Sequence, residues 1–533
     1  MLTTSLKAAF AGLLMGLAAG VGSAAAADTP KQGGKLIYGI ESEIPWMDPH
    51  VVFGGSNKRV VKMAFEGLVD RDRSDPSRPP PLAPALAESW EVLENGTVYR
   101  FHLRQGVKFH DGTPFDAAAV EFNFRRIIDP AFQYYYKRTE ALKNGPLRYL
   151  KDVKVVDAKT VDLVLSQAWS PFLDQLSTTL SAGLPLMVSP ESVKTYGNDG
   201  VNLHPVGTGP FKIVSYGPGV QTVLQRNPDY WDKPYPYLDE VDFVVLPEES
   251  TRVTALESGE VDMITAIPPD RIASLKQEGF TVTMPQAMNL VWFISLNVKE
   301  PGLSDVRVRQ AINYAIDRKG IAEQLLGGSV SPISAMVPGT SPLWNTDLKQ
   351  AYAYDPAKAK ALLAEAGVTK LSTTVQLPTG GSYMITPVPI MEWVQRDLAA
   401  VGITLKLETF DWVTYLQHWL KGLQPGVGMN IMSWGTDYDE WWADDIFTSK
   451  AFGNTGHIDD KTIDAGFDSY VTAADPKARQ EIAYKIFKQA SDQAYFVPIA
   501  SDRAPIASAA KVKGVLPIPD WMQDFRGYWI EQQ

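Results

Sequence analysis

The sequence predicts an α/β protein built from two or three domains, and three features carry that reading. Its 533 residues, 45% hydrophobic and 21% charged, exceed what a single hydrophobic core normally holds. Short stretches of alternating hydrophobicity are interleaved with amphipathic helical stretches through the later half. No internal repeat or low-complexity tract interrupts the pattern after the N-terminus.

Taken in order, GGKLIYGIES opens the regular structure as a strand, with Leu36, Tyr38 and Ile40 on one face. SNKRVVKMAFEGLVDRD follows as an amphipathic helix that Ser56 can cap, with Val60, Val61, Ala64, Phe65 and Leu68 in one stripe. SDPSRPPPLAPALAESW reads as an exposed proline-rich crossing. Beyond it lie a strand pair, a turn at His110-Asp111-Gly112, and a helix entered through Thr113-Pro114 and Asp116. VKVVDAKTVDLVL is a strand pair, and GPFKIVSY pairs with YGPGVQTVLQRN. LDEVDFVVLPEESTRVTALESGEVDMI is a strand, then a helix starting at Glu248 to Thr251 and closing near Gly259. Three helical stretches come later: DVRVRQAINYAIDRKGIAEQLLGG, PAKAKALLAEAG and TPVPIMEWVQRDLAAVG, the last two ending at glycine C-caps. Strands TTVQLP, ITLKLETF and MNIMSWG alternate with them.

The first residues carry Lys7, an apolar small-residue run from Ala8 to Val21, and Ala25-Ala26-Ala27, the pattern of a secretory leader cleaved after Ala27. That run is too short and too rich in Gly and Ala for a spanning helix. Without the leader the 50 basic residues lose one, against 61 acidic ones, for a formal charge of −12. Nucleic acid and anionic membrane surfaces are therefore unexpected partners. The sequence has no cysteine, which excludes disulfides, thiolate metal sites, cysteine nucleophiles and a lipidated cysteine. Export without disulfides points to a bacterial periplasm.

Chemistry concentrates in MSWGTDYDEWWADDIF, residues 432 to 447, with five carboxylates and five aromatic residues. Paired carboxylates there would suit a glycosidase, yet acids before a helix equally cap its N–H groups. Six histidines without i, i+4 spacing, and no G-x-S-x-G, phosphate loop or dinucleotide fingerprint, leave a metalloenzyme, serine hydrolase or nucleotide enzyme without its parts. No cofactor and no metal are expected.

Four stretches, LAESWEVLENGTVYRFHLRQGVKFHDGTPFDAAAVEFNFRR (86 to 126), HPVGTGPFKIVSY (204 to 216), LQRNPDYWDKPYPYLDEVDFVVLPEESTRVTALESGEVDMI (224 to 264) and LSDVRVRQAINYAIDRKGIAEQLLGG (303 to 328), resemble in order and spacing the extracytoplasmic solute-binding proteins of family 5, the peptide/nickel group that feeds ABC importers. The resemblance runs over essentially the whole mature chain. It implies a type II periplasmic-binding-protein-like α/β fold, two lobes on a hinge with an extra inserted domain. Domain I would combine 28–66, 204–285 and 500–533, the inserted domain II would be 67–203, and domain III 286–499. FHDGTP and PVGTGPF would be turns and lobe-crossing elements.

The resemblance also gives the acidic stretch a role. Peptide-binding members present an aspartate from a W-x-x-D segment to the ligand's α-ammonium, and Trp434-Gly435-Thr436-Asp437 matches it, continuing into Tyr438. Asp437 is the expected amine contact, with helix capping as its alternative. Trp441 and Trp442 are candidate stacking surfaces, and Trp46 and Trp412 further aromatic candidates. Dipeptide-binding relatives carry an arginine for the ligand carboxylate after the strand that here reads TTVQLPTGGSY, but no Arg or Lys occurs from Thr374 to Val394. Longer peptides, opine-like or other amine-bearing solutes and oligosaccharides stay open. The expectation is a monomeric, non-enzymatic periplasmic component of an ABC importer that hands its solute to a membrane permease. A carbohydrate-active enzyme using the acidic cluster and a chaperone-like peptide holder are the alternatives.

Overall fold

The computed structural model describes residues 29–533 apart from 53–54, 77–78, 178–182, 381–383, 385, 521–522 and 532–533. The leader with its cleavage site after Ala27 lies outside the described residues, as does the side chain of Ser56. Two large sheets organise the molecule. The first orders its strands as Thr281–Thr283, Ile506–Ser508, Met263–Ile264, Lys35–Ile40, Glu240–Val245, Gln221–Arg226 and Phe211–Gly217. Lys35–Ile40 runs parallel to Glu240–Val245 and Met263–Ile264, while the other pairs are antiparallel. Leu36, Tyr38 and Ile40 share its buried face, as their alternation predicts.

The second sheet runs Val330–Pro332, Phe496–Asp502, Leu290–Leu296, Met429–Gly435, Leu371–Pro378 and Ile403–Phe410. Its central strand is buried on both faces. Leu290, Trp292, Ile294 and Leu296 face one core with the helices Val306–Ala315 and Pro387–Ala399, and Val291 and Phe293 face the other. Phe496–Asp502 continues past the expected lobe boundary at 499, because Val330 and Ser331 pair with Asp502 and Ser501. The chain crosses between the sheets in two adjacent segments held together by the N–H of Met288 donating to the carbonyl of Asp502 (2.8 Å).

A separate four-stranded antiparallel sheet, Ala87–Leu93, Val98–Leu103, Thr160–Leu165 and Leu150–Asp157, carries the helix Ala117–Ile128. Asp116 caps that helix by accepting from the N–H of Ala119 (3.0 Å). The hydrophobic core of this layer continues into the outer face of the second sheet, where Trp169 meets Trp441 edge-on with ring centres 6.1 Å apart. FHDGTP and PVGTGPF pack against each other, the N–H of His110 donating to the carbonyl of Gly207 (2.8 Å). Gly207 and Gly209 let this crossing lie on the first helix: a Cβ on Gly207 would come 2.1 Å from the carbonyl oxygen of Ala64.

Three expectations change. The first helix spans only Gly55–Ala64, because Glu66 turns inward to accept from Thr208, Tyr230 and Trp231. The proline-rich segment is a hairpin, Val69–Arg71 against Leu82–Pro84, rather than a bare crossing. The stretch from Asp305 to Gly328 breaks after Ala315, where Asp317 starts a new turn by accepting from the N–H of Gly320 (2.9 Å) while its own N–H donates to Asp397 (2.9 Å).

Candidate functional site

A cavity of about 730 Å³ opens between the four-stranded layer and the end of the strand Met429–Gly435. Residues 141–175 line one wall and residues 434–471 the other. The strand delivers Trp434 to the rim, and the N–H of Thr436 then bonds the carbonyl of Asn289 (2.9 Å), fixing the turn that follows. Asp437 emerges from that turn on the cavity wall. Its Oδ2 accepts from Nε2 of Gln175 (3.0 Å), on the helix Phe172–Ser177 of the opposite wall. Among the described residues its Oδ1 accepts no hydrogen bond. Burial pushes the Asp437 carboxyl up to about 6, against the pull of the Gln175 bond and the charges of Lys58 and Arg71. Lys58, fully buried on the first helix, is pushed down to about 7 by the same desolvation, with the charge of Asp437 opposing it.

The three residues after Asp437, Tyr438 to Glu440, turn away from the cavity. Tyr438 is buried, its hydroxyl donating to Oδ2 of Asp520 (2.7 Å), which also accepts from Nε of Arg73 (3.0 Å). The Arg71 guanidinium lies 4.6 Å from the centre of the Tyr438 ring and pairs with Asp174 (2.5 Å). Asp439 caps the 3₁₀ turn Glu440–Ala443 by accepting from the N–H of Trp441 (2.9 Å), and burial pushes its carboxyl far up. Glu440 accepts from the hydroxyl of Ser341 (2.7 Å) and is raised to about 7 by burial.

Four of the seven expected site residues, Trp434, Asp437, Trp441 and Trp442, line this cavity together. The rings of Trp441 and Trp442 are only 7% and 4% exposed, wedged against Trp169 and Phe467 and against Phe447 and Phe487. Neither ring offers a free face to a ligand. Trp46 sits elsewhere under the guanidinium of Arg138 (4.1 Å), and Trp412 packs on Tyr415; neither is among the lining residues. Residue patterns did not single out Arg148, Gln175 or Phe452, which line the cavity from segments without a motif. Asp444 and Asp445, expected as helix caps, also line it, both raised to about 6 by burial with Arg148 opposing.

The family model described as "Bacterial extracellular solute-binding proteins, family 5 Middle" matches residues 81–456. The chain is 28% identical over 517 residues to the glutathione-binding protein GsiB of Salmonella paratyphi A, covering 94% of this chain and 96% of that protein. Among solved structures, the periplasmic binding protein DppA from Helicobacter pylori in complex with the peptide STSA aligns at a TM-score of 0.76 with 26% identity, covering 94% and 99% of the two chains. AgaA of Agrobacterium tumefaciens R10, in complex with agropinic acid, aligns at a TM-score of 0.74 with 27% identity over 94% and 99%. Among the described residues no helix is long and apolar enough to cross a membrane.

Proposed function

Because the chain belongs to family 5 of the bacterial extracellular solute-binding proteins, we propose that it captures a peptide or related amine-bearing solute in the cavity beside Asp437 and delivers it to the permease of an ABC importer. One observation carries the reading. A partly buried carboxylate faces the cavity with a neutral amide on one oxygen and no donor among the described residues on the other. An ammonium seated there gains a charge-assisted bond and offsets the desolvation that raises the Asp437 carboxyl. The peptide STSA and agropinic acid in the aligned structures, and the glutathione in the name of the Salmonella relative, support a small amine-derived solute.

Gln175 and Asp437 already touch from opposite walls, so a solute seated on Oδ1 of Asp437 lies against both walls and favours closure, as capture by a hinged protein requires. The same placement argues against bond cleavage: every carboxylate among the described lining residues comes from the 437–468 wall, whereas glycosidic hydrolysis needs acids on both sides of the bond. Buried as they are, the Trp441 and Trp442 rings are not themselves a stacking platform for an oligosaccharide. The protein works as a non-enzymatic, exported monomer in the periplasm, its leader removed after Ala27, with domain I (28–66, 204–285, 500–533), domain II (67–203) and domain III (286–499, its sheet running on to Asp502) as its three parts and no nucleic-acid partner. A thermal-shift screen over peptides, opines and oligosaccharides tests this. Stabilisation by an amine-bearing solute, lost in Asp437→Ala with the unliganded melt intact, is expected; an unchanged shift removes Asp437 from the site, and turnover of an oligosaccharide removes the binding-protein reading.

A further inference from the structure

The segment where a carboxylate-binding arginine was expected, Thr374 to Val394, has no basic residue, yet the cavity holds a guanidinium on its opposite wall. Arg148 and Lys450 are the basic side chains among the described lining residues, and Lys450 is exposed. Arg148 is held along its length. Its Nε donates to the carbonyl of Gly145 (3.1 Å), and its guanidinium lies 5.3 Å from the Trp441 ring and 5.9 Å from that of Trp169. The two terminal nitrogens are 3.8 Å from Asp444 and 3.9 Å from Asp445. Those distances give attraction but exceed hydrogen-bond reach, so the fork that fits a carboxylate is oriented while its end donors stay open.

We propose that Arg148 takes the solute's carboxylate while Asp437 takes its ammonium, so that the cavity selects zwitterions with both ends free: short peptides or amino-acid conjugates. The Arg148 half rests on the reading of Asp437 given above. The two anchors stand on different walls, one in the inserted layer and one after the strand Met429–Gly435, so a zwitterion binds both at once and holds the lobes together. A solute carboxylate approaching Arg148 takes the place opposite the guanidinium that Asp444 and Asp445 fill at long range. These two acids are held up at about 6 by burial, so either accepts a proton more readily than an exposed aspartate once that pairing weakens.

The test uses the short-peptide fraction of a casein digest in three forms: untreated, methyl-esterified at its carboxyl groups, and acetylated at its amines. Retention per chain is read by mass spectrometry for wild type, Arg148→Gln and Arg148→Lys, with thermal melts to confirm folding. Wild type retains the untreated pool and loses roughly 30-fold or more toward the esterified one. Arg148→Gln loses about as much toward the untreated pool and nothing further on esterification, because the same interaction is already gone. Arg148→Lys recovers only part, since a point charge replaces a bidentate fork. Equal loss by Arg148→Gln toward both pools, no loss at all, or no peptide retained by wild type from any pool overturns the proposal. Retention that falls on esterification but not on acetylation leaves Arg148 in place and removes Asp437 as the amine anchor, so the two halves fail separately.

Discussion

Acidification through pH 6 should release the solute, and Asp437 should be the group responsible. Its carboxyl stands at about 6 in the unliganded fold against an ordinary 3.8, raised by burial and by Asp445 nearby, and held down by the Gln175 bond, Lys58 and Arg71. That displacement corresponds to ~3 kcal/mol of disfavoured ionisation. A bound ammonium requires the ionised form, so affinity should be level above about pH 7 and fall about tenfold per pH unit below 6. Glu440, Asp444 and Asp445 titrate in the same range, so the diagnostic is the part of the slope that disappears in Asp437→Asn. At pH 7.5 that variant should lose ~2–4 kcal/mol of binding, the usual result of removing one partner of a buried charge pair. Unliganded stability should move the other way. A carboxyl raised in the fold contributes fully below the unfolded value and loses that contribution as pH rises through about 6. Asp437→Asn should therefore stabilise the empty protein at pH 7.5, by up to ~3 kcal/mol, while abolishing capture. Isothermal titration from pH 5 to 8, with denaturant melts of both proteins, reads both effects. A variant that keeps the wild-type pH slope, or loses unliganded stability, refutes the reasoning.

Other perturbations separate closure from packing. Tyr438→Phe removes the hydroxyl that donates to Asp520 across the lobes while leaving the ring under Arg71; a bond to a charged acceptor is worth ~1.5–3 kcal/mol, so stopped-flow should show faster release and weaker binding with solute preference unchanged. Trp442→Ala empties a site packed by Phe447 and Phe487 and should cost ~3–5 kcal/mol in denaturant melts. Gly207→Ala drives a methyl against the Ala64 carbonyl and should cost more than ~2 kcal/mol or block folding, read as lost soluble yield or a lowered melt.

Local signals carried much of the fold. Asp116 before the Ala117–Ile128 helix, Gly259 with φ 78° after Glu249–Ser258, and Gly367 and Gly402, both at positive φ beyond their helices, mark element ends by rules that depend on neighbouring residues alone. The misread ends were settled at a distance. Ala64 stops its helix because Glu66 is needed by residues more than 140 positions away, and Ala315 stops its helix where Asp317 meets Asp397. The site divides the same way. Asp437 became a candidate through the resemblance of its W-x-x-D segment to that of peptide-binding family members, and Asp439 as an acid before a helix, where it caps the turn. Arg148 and Gln175 sit in KNGPLRYL and PFLDQLS, stretches with no pattern, and only the packing of the inserted layer against residues 434–471 brings them to the same cavity.

Native mass spectrometry of the protein mixed with the short-peptide fraction, followed by recovery of what it holds, bears most directly on capture without chemistry at this cavity. One peptide per chain, released intact on denaturation and absent from Asp437→Asn, is the result expected. Peptides returned cleaved, or held equally by Asp437→Asn, would contradict it.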